Sequence, residues 1–200
     1  MDALQWILAA LLGLSLAASI GLNAFLPLLM LAGAAHFRLA DVQLNDNFAW
    51  LASEQALFVL VIATVLEIIG DKIPAVDHAL HALGVVIRPI VGTLAAAAVF
   101  TQADPTIAAI AGLIIGTPAA LGFHAAKAGT RAASSATTLG CANPILSVVE
   151  DCIAFALVLI GFFAPLLVPV VLILVGLLLW KLVKAARLRR ALKETHPTSA

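Results

Sequence analysis

The chain has 200 residues, 63% of them hydrophobic and only 11% charged, and its eleven acids and eleven bases cancel to a formal net charge of zero. A soluble domain needs about a quarter charged residues to cover its exterior. With a mean hydropathy of +1.12, this chain is not a water-solvated globule, and lipid is the solvent for most of its surface. The charge balance also argues against a nucleic-acid partner, which calls for a strongly basic face.

A helix crosses a bilayer with about 20 mostly apolar residues, and six segments meet that requirement. The expected fold is therefore an all-α, polytopic integral membrane helix bundle. The chain opens Met1-Asp2-Ala3-Leu4-Gln5 with no basic region, so the first apolar segment is expected to be a retained helix and not a secretory signal. It covers residues 6–35, and Gly21, Asn23 and Pro27 inside it predict a kink or break. The second covers 50–70 and is closed by Asp71-Lys72-Ile73-Pro74, because the residue before a proline disfavours helix. The third covers 76–100. The fourth follows Asp104-Pro105, a cap and first-turn proline pair, and reaches residue 123. The fifth opens at Asn143-Pro144, with Asn143 as the expected cap, and ends near 162. The sixth follows Pro165 and runs to 182, into a tail bearing Lys181, Lys184, Arg187, Arg189, Arg190 and Lys193. Residues 1–193 are expected to form a single transmembrane domain with halves at about 4–102 and 103–190, and 194–200 a frayed cytoplasmic tail. Cys141 and Cys152 do not make a disulfide framework and are read as reduced and structural.

The positive-inside rule places the basic tail in the cytoplasm, and six spans then place the N-terminus there too. Lys72, Lys127 and Arg131 fall in the loops this topology makes cytoplasmic, and the segment 101–104 carries no base. Two halves of three spans would be inverted relative to each other. Gly21-x-x-Ala24-x-Leu26 has a counterpart in Gly116-x-x-Ala119-x-Leu121, and Thr64-Val65-Leu66-Glu67 in Ser147-Val148-Val149-Glu150. The sequence leaves open whether these are inverted repeats of the kind on which many transporters are built.

Ionisable side chains within a span are costly and usually face a bundle interior. Glu67 and Asp71 share one helix face at the end of the second span and could bind a cation or share a proton, or Asp71 could simply pair with Lys72 at the headgroups. Asp77, His81 and Arg88 form one stripe on the third span, able to relay protons or to act as a solvated, internally paired helix start. His124, Lys127 and Arg131 form another on the fourth, which suits an anion or phosphate clamp or a set of anchors beside anionic lipid. Ser147, Glu150 and Asp151 lie within the first turns of the fifth, and of the adjacent pair only one acid can point squarely at a given neighbour. All four groups are expected between the bilayer midplane and the inner surface, with Arg88 deepest.

At these positions the chain resembles a family of bacterial membrane proteins, domain-of-unknown-function family 4126. The residues that carry the resemblance are Gly21-Leu22-Asn23-Ala24-Phe25-Leu26-Pro27-Leu28, Glu67, Asp71-Lys72-Ile73-Pro74 with Asp77, Arg88-Pro89, His124, Lys127, Arg131, Ser147 and Glu150-Asp151. It implies a location in the bacterial inner membrane and no particular activity. Glu67-Ile68-Ile69-Gly70-Asp71-Lys72 is also similar to the Glu-x-Gly-Asp-Lys segment of small cation exchangers, though one residue longer and with no glycine at Glu150-Asp151.

The expected function is a transporter or channel for a small ion, cationic or proton-coupled, that uses this intramembrane charged cluster. The alternatives are a membrane enzyme or lipid-binding protein acting on a phosphorylated headgroup, and a non-catalytic scaffold. No His-Glu-x-x-His, Gly-x-Ser-x-Gly or P-loop is present, so an enzyme is the less expected class and no cofactor is implied. The expected partners are the lipid bilayer and a small ion or small anionic ligand. Homo-oligomerisation stays open.

Overall fold

A computed structural model describes residues 2–138 and 140–195, which are helical with no strand among them. Helix α1 (Ala3–Leu22) opens with a capping box, in which the Asp2 carboxylate accepts from the Gln5 backbone N–H and the Gln5 side chain accepts from that of Asp2. After a three-residue break come α2 (Leu26–His36), a 3-10 segment (Asp46–Ala52) and α3 (Glu54–Gly70). Then follow α4 (Pro74–Ala98), α5 (Pro105–Thr138), α6 (Asn143–Phe163), a 3-10 turn (Pro165–Leu167) and α7 (Val168–Thr195). Of the expected frayed tail, residues 196–200 lie outside the described residues.

Helix α1 is the axis of the bundle. Its second half is buried on every side, from Ser15 through Leu22, because Ser, Ala and Gly recur around its whole circumference and let α4, α5 and α6 approach closely. Ser15 Oγ donates to the Leu157 carbonyl of α6 at 2.6 Å, and Ser19 Oγ to the Ser15 carbonyl at 2.8 Å, so neither hydroxyl is left without a partner. The stretch 95–98 of α4 is equally buried. The exterior is apolar instead: Phe58, Leu66, Val86, Ile114, Ile145 and Phe163 are all exposed. A surface of that kind suits lipid and not water.

Close approach of α4 and α5 depends on Gly116, where a Cβ would stand 2.4 Å from the Gly92 carbonyl oxygen. Because that neighbour is backbone, Gly116→Ala must push the two helices apart. It should cost about 1–3 kcal/mol, read as a lowered thermal midpoint of the detergent-solubilised protein. Gly122→Ala, where a Cβ meets nothing within 4 Å, is the neutral control.

The expected topology changes in three respects. First, the expected kink or break in residues 6–35 is a full break between Leu22 and Leu26, and the two parts do not make one span. Trp6 packs on Phe100 at the end of α4, whereas Gly21 and Leu22 meet Arg88 and Lys127. Helix α2 then starts beside Glu67 and finishes at Ala52, where the His36 ring nitrogen lies 2.7 Å from the carbonyl. It therefore runs back antiparallel to both α1 and α3, and the chain starts at the end opposite the charged residues. Second, α1 and α5 run in the same direction, since α1 lies along α5 with Gly21 against Ala120 and Phe123, while α5 opens beside Phe100 where α1 also begins. Two inverted three-helix halves need them opposed, so the likeness around Gly21 and Gly116 reflects a shared demand for close packing. Third, among the described residues four helices are long and apolar enough to cross a membrane, where six spans were expected: Ala3–Leu22, Ala79–Ala98, Pro105–Ala136 and Asn143–Phe163. A fifth is added if Asp46–Ala52 and Glu54–Gly70, bent by 65°, count as one span, and among the described residues Pro165–Leu178 is a shorter apolar helix.

The 37–45 connection holds Arg38, Ala40 and Asp41 at φ of 54°, 54° and 51°, a region that side chains rarely adopt. Asn45 anchors it, its backbone N–H donating to the Ala98 carbonyl and its side-chain amide to those of Phe100 and Ala103.

Candidate functional site

The break between α1 and α2 organises the charged residues. A helix end leaves carbonyls without partners at its C-terminus and N–H groups at its N-terminus, and here both ends fall inside the protein. The Gly21 carbonyl accepts from Arg88 Nη1, and the Leu22 carbonyl accepts from Lys127 Nζ at 2.7 Å. On the other side of the break, the Ala24 and Phe25 N–H groups donate to the two oxygens of Glu67 at 2.9 and 3.0 Å. Cations thus meet the negative end of α1 and a carboxylate meets the positive end of α2. Asn23 completes the turn: its Oδ1 accepts from the Leu26 N–H at 3.0 Å and its Nδ2 donates to Asp151 at 2.9 Å.

Two linked sets of ion pairs extend from there. Arg88 Nη2 holds Glu67 Oε1 at 3.1 Å. Lys127 Nζ lies 2.7 Å from Asp71 and 3.4 Å from Glu150. Arg131 bridges three acids, reaching Glu150 at 2.9 Å, Asp71 at 3.3 Å, and Asp77 through Nη1. All seven residues are buried, Lys127 to 1% exposure. Three cations thus face four carboxylates, an excess of one negative charge. Lys72 and Asp151 form a looser pair, 3.8 Å apart, at the edge of the cluster with Lys72 about a third exposed.

Every stripe expected from the sequence turns inward and meets the others. Asp71 pairs with Lys127 and Arg131, not with its neighbour Lys72. Asp77 and Arg88 pair across to α5 and α3 and not within α4. Glu150 faces the cluster while Asp151 turns aside toward Asn23 and Lys72, as adjacency requires. The anion clamp expected at Lys127 and Arg131 is occupied by carboxylates. His124 is buried and stacks on the half-buried His81, ring centroids 4.3 Å apart. Asn143 does not cap α6; the helix begins at Asn143 itself, Ala142 holds the cap position, and the Asn143 amide donates to Ser135. Cys141 and Cys152 are free and exposed.

Several buried polar atoms have no partner among the described residues: Glu150 Oε1, Ser147 Oγ, Thr64 Oγ1, His81 Nδ1 and both ring nitrogens of His124. No group of three His, Cys, Asp or Glu there is arranged to hold a metal ion. At the opposite end of the bundle a cleft of about 370 Å³ is lined by Gln5, Asp41, Gln43, Thr101 and Gln102 among others.

What the sequence reading missed is the part played by the break. Gly21, Asn23 and Pro27 register there as a place to kink or break, and the backbone groups of 21–25 as needing partners not at all, although an asparagine four residues before a proline in an apolar run is a signal of exposed backbone. Rise along the helices gives the depth: counted back from the end of α4, Arg88 lies about 15 Å in and Asp77 about 31 Å.

Comparison with curated proteins and with solved structures gives no match. Comparison with family models matches residues 10–185 to the domain of unknown function DUF4126, a stretch that contains every residue of the charged network, and the chain belongs to that family.

Proposed function

We propose that this chain is a transporter or channel of the bacterial inner membrane for a small cation or protons, with the broken α1–α2 helix and its charged network as the ion site. The observation that carries the reading is a helix break buried in the bundle, capped by Arg88, Lys127 and Glu67 and continuous through Lys127 with a network of three cations and four carboxylates. A scaffold needs no such arrangement, since apolar residues of similar volume are often as stabilising as buried ion pairs. Interrupted helices whose ends meet ions near the bilayer midplane are the common device of secondary transporters. The depths of Arg88 and Asp77 are consistent with a site running from the midplane of a roughly 30 Å hydrocarbon layer to its inner boundary.

The orientation that fits has the charged end in the cytoplasm. Lys72, Lys127, Arg131 and the basic C-terminal part of α7 satisfy the positive-inside rule there. The start of α1, with Asp2 and no base, then faces outside, and the polar cleft beside Gln5 and Asp41 is the outer approach. The dense pairing favours a second reading, a closed scaffold, and the same experiment separates the two. Reconstituted in liposomes, the wild-type chain should dissipate an imposed ion gradient, and Glu67→Gln and Glu150→Gln proteins that elute as monodisperse species should fall to the rate of empty vesicles. Wild-type rates equal to empty vesicles across protons, Na⁺ and K⁺, or unchanged rates in both variants, would leave the scaffold.

A further inference from the structure

The network does not treat its four carboxylates alike. Both oxygens of Glu67 are engaged, by two backbone N–H groups and Arg88. Glu150 uses one oxygen only: Oε2 accepts from Arg131 and lies near Lys127, while Oε1 is buried with no partner. Ser147, three residues earlier and so on the same face of α6, is fully buried, and its Oγ is unpartnered too. A free carboxylate oxygen and a free hydroxyl thus lie on one helix face, in a cluster with one negative charge too many.

We infer that Glu150 Oε1 is the exchangeable proton site of this cluster, with the Ser147 hydroxyl as its hydrogen-bond partner, and that the ion the protein handles is H⁺. The proton adds to Oε1 and converts the carboxylate to the carboxylic acid, which brings the seven-residue network from −1 to zero. Its release to water restores the carboxylate. A metal cation suits the place poorly. It needs several oxygen ligands, whereas two donor atoms are free here, and it would sit within a few ångströms of the Lys127 ammonium and the Arg131 guanidinium. A proton needs no coordination shell. The groups that face Glu150 from the surrounding elements are Lys127 and Arg131 on α5, Asp71 after α3 and Asp77 on α4, the two acids being held by the same cations; Lys72, Asp151 and Asn23 lie at the edge, and Arg88, His81 and His124 beyond.

This inference deepens the ion-transport reading and rests on it only for the statement that the proton crosses the membrane; occupancy of Glu150 is tested separately. Infrared difference spectra of the purified chain between acid and alkaline buffer should show the C=O stretch of a protonated carboxyl group. That band should vanish in Glu150→Gln and move in frequency in Ser147→Ala, which removes one hydroxyl and leaves every ion pair intact. It should be indifferent to added Na⁺ and K⁺. A band that persists in Glu150→Gln, one that Na⁺ or K⁺ abolishes, no titrating carboxyl band in the wild type, or no shift in Ser147→Ala overturns the assignment. Should Glu150→Gln not fold, Glu150→Asp replaces it, with an altered band expected and an unaltered one counting against the site. A band that behaves as expected in a protein with no flux supports the proton site while removing the transport function.

Discussion

Glu67→Ala should be the most damaging single substitution in the chain. It strips Arg88 of its only carboxylate partner among the described residues, leaving a guanidinium at 2% exposure with the Gly21 carbonyl. Breaking a buried ion pair from one side costs about 3–5 kcal/mol, because the surviving charge has no compensation. The same change orphans the N–H groups of Ala24 and Phe25, each adding about 1–3 kcal/mol for a buried donor without an acceptor. Together these approach the whole stability of an ordinary domain, so the expected result is little or no monodisperse protein after detergent extraction. Pairing it with Arg88→Met removes the stranded charge and should restore part of the yield, since contacting residues are not additive. A Glu67→Ala protein with a wild-type thermal midpoint would mean that the α1–α2 break is not held by this carboxylate.

Arg131→Met should come second. Among the described residues Arg131 is the only side chain that touches Asp71, Asp77 and Glu150 together, and without it two cations would face four buried carboxylates. A loss of about 3–5 kcal/mol is expected on the same grounds, seen as a lowered thermal midpoint. Arg131→Lys keeps the charge but cannot reproduce a planar fork that reaches three acids from one position, so it should recover the deficit only in part. Equal midpoints for Arg131→Lys and wild type would show that charge alone matters there. Glu67→Ala and Arg131→Met act at different places, the first on the helix break and the second on the joint between α4, α5 and α6.

Much of the site was legible before any coordinates. Spacings of three, four and seven place Asp77 with His81 and Arg88, and His124 with Lys127 and Arg131, and the cost of burying charge in lipid says that each stripe must face inward. Those stripes do meet. Their partners were not legible, because an ion pair is a matter of which helices are neighbours. Asp71 could as well have paired with Lys72 beside it, and Lys127 and Arg131 read as a clamp for an outside anion until α3, α4 and α6 supplied the anions.

The topology divides along the same line. Composition and runs of about 20 apolar residues determine that the chain is a helical membrane protein, because that outcome depends on each segment's own transfer into lipid. Asn23 and Pro27 likewise determine by themselves that the first segment breaks. Whether the chain then continues across the bilayer or turns back was decided by tertiary contact: Glu67 binds the start of α2 and the Ala52 carbonyl meets its end. A local break fixes that direction changes and carries no information about the angle. The angle comes from the distant carboxylate and cations that satisfy the backbone on either side of it, and with it come the direction of every later helix and the side on which the N-terminus lies.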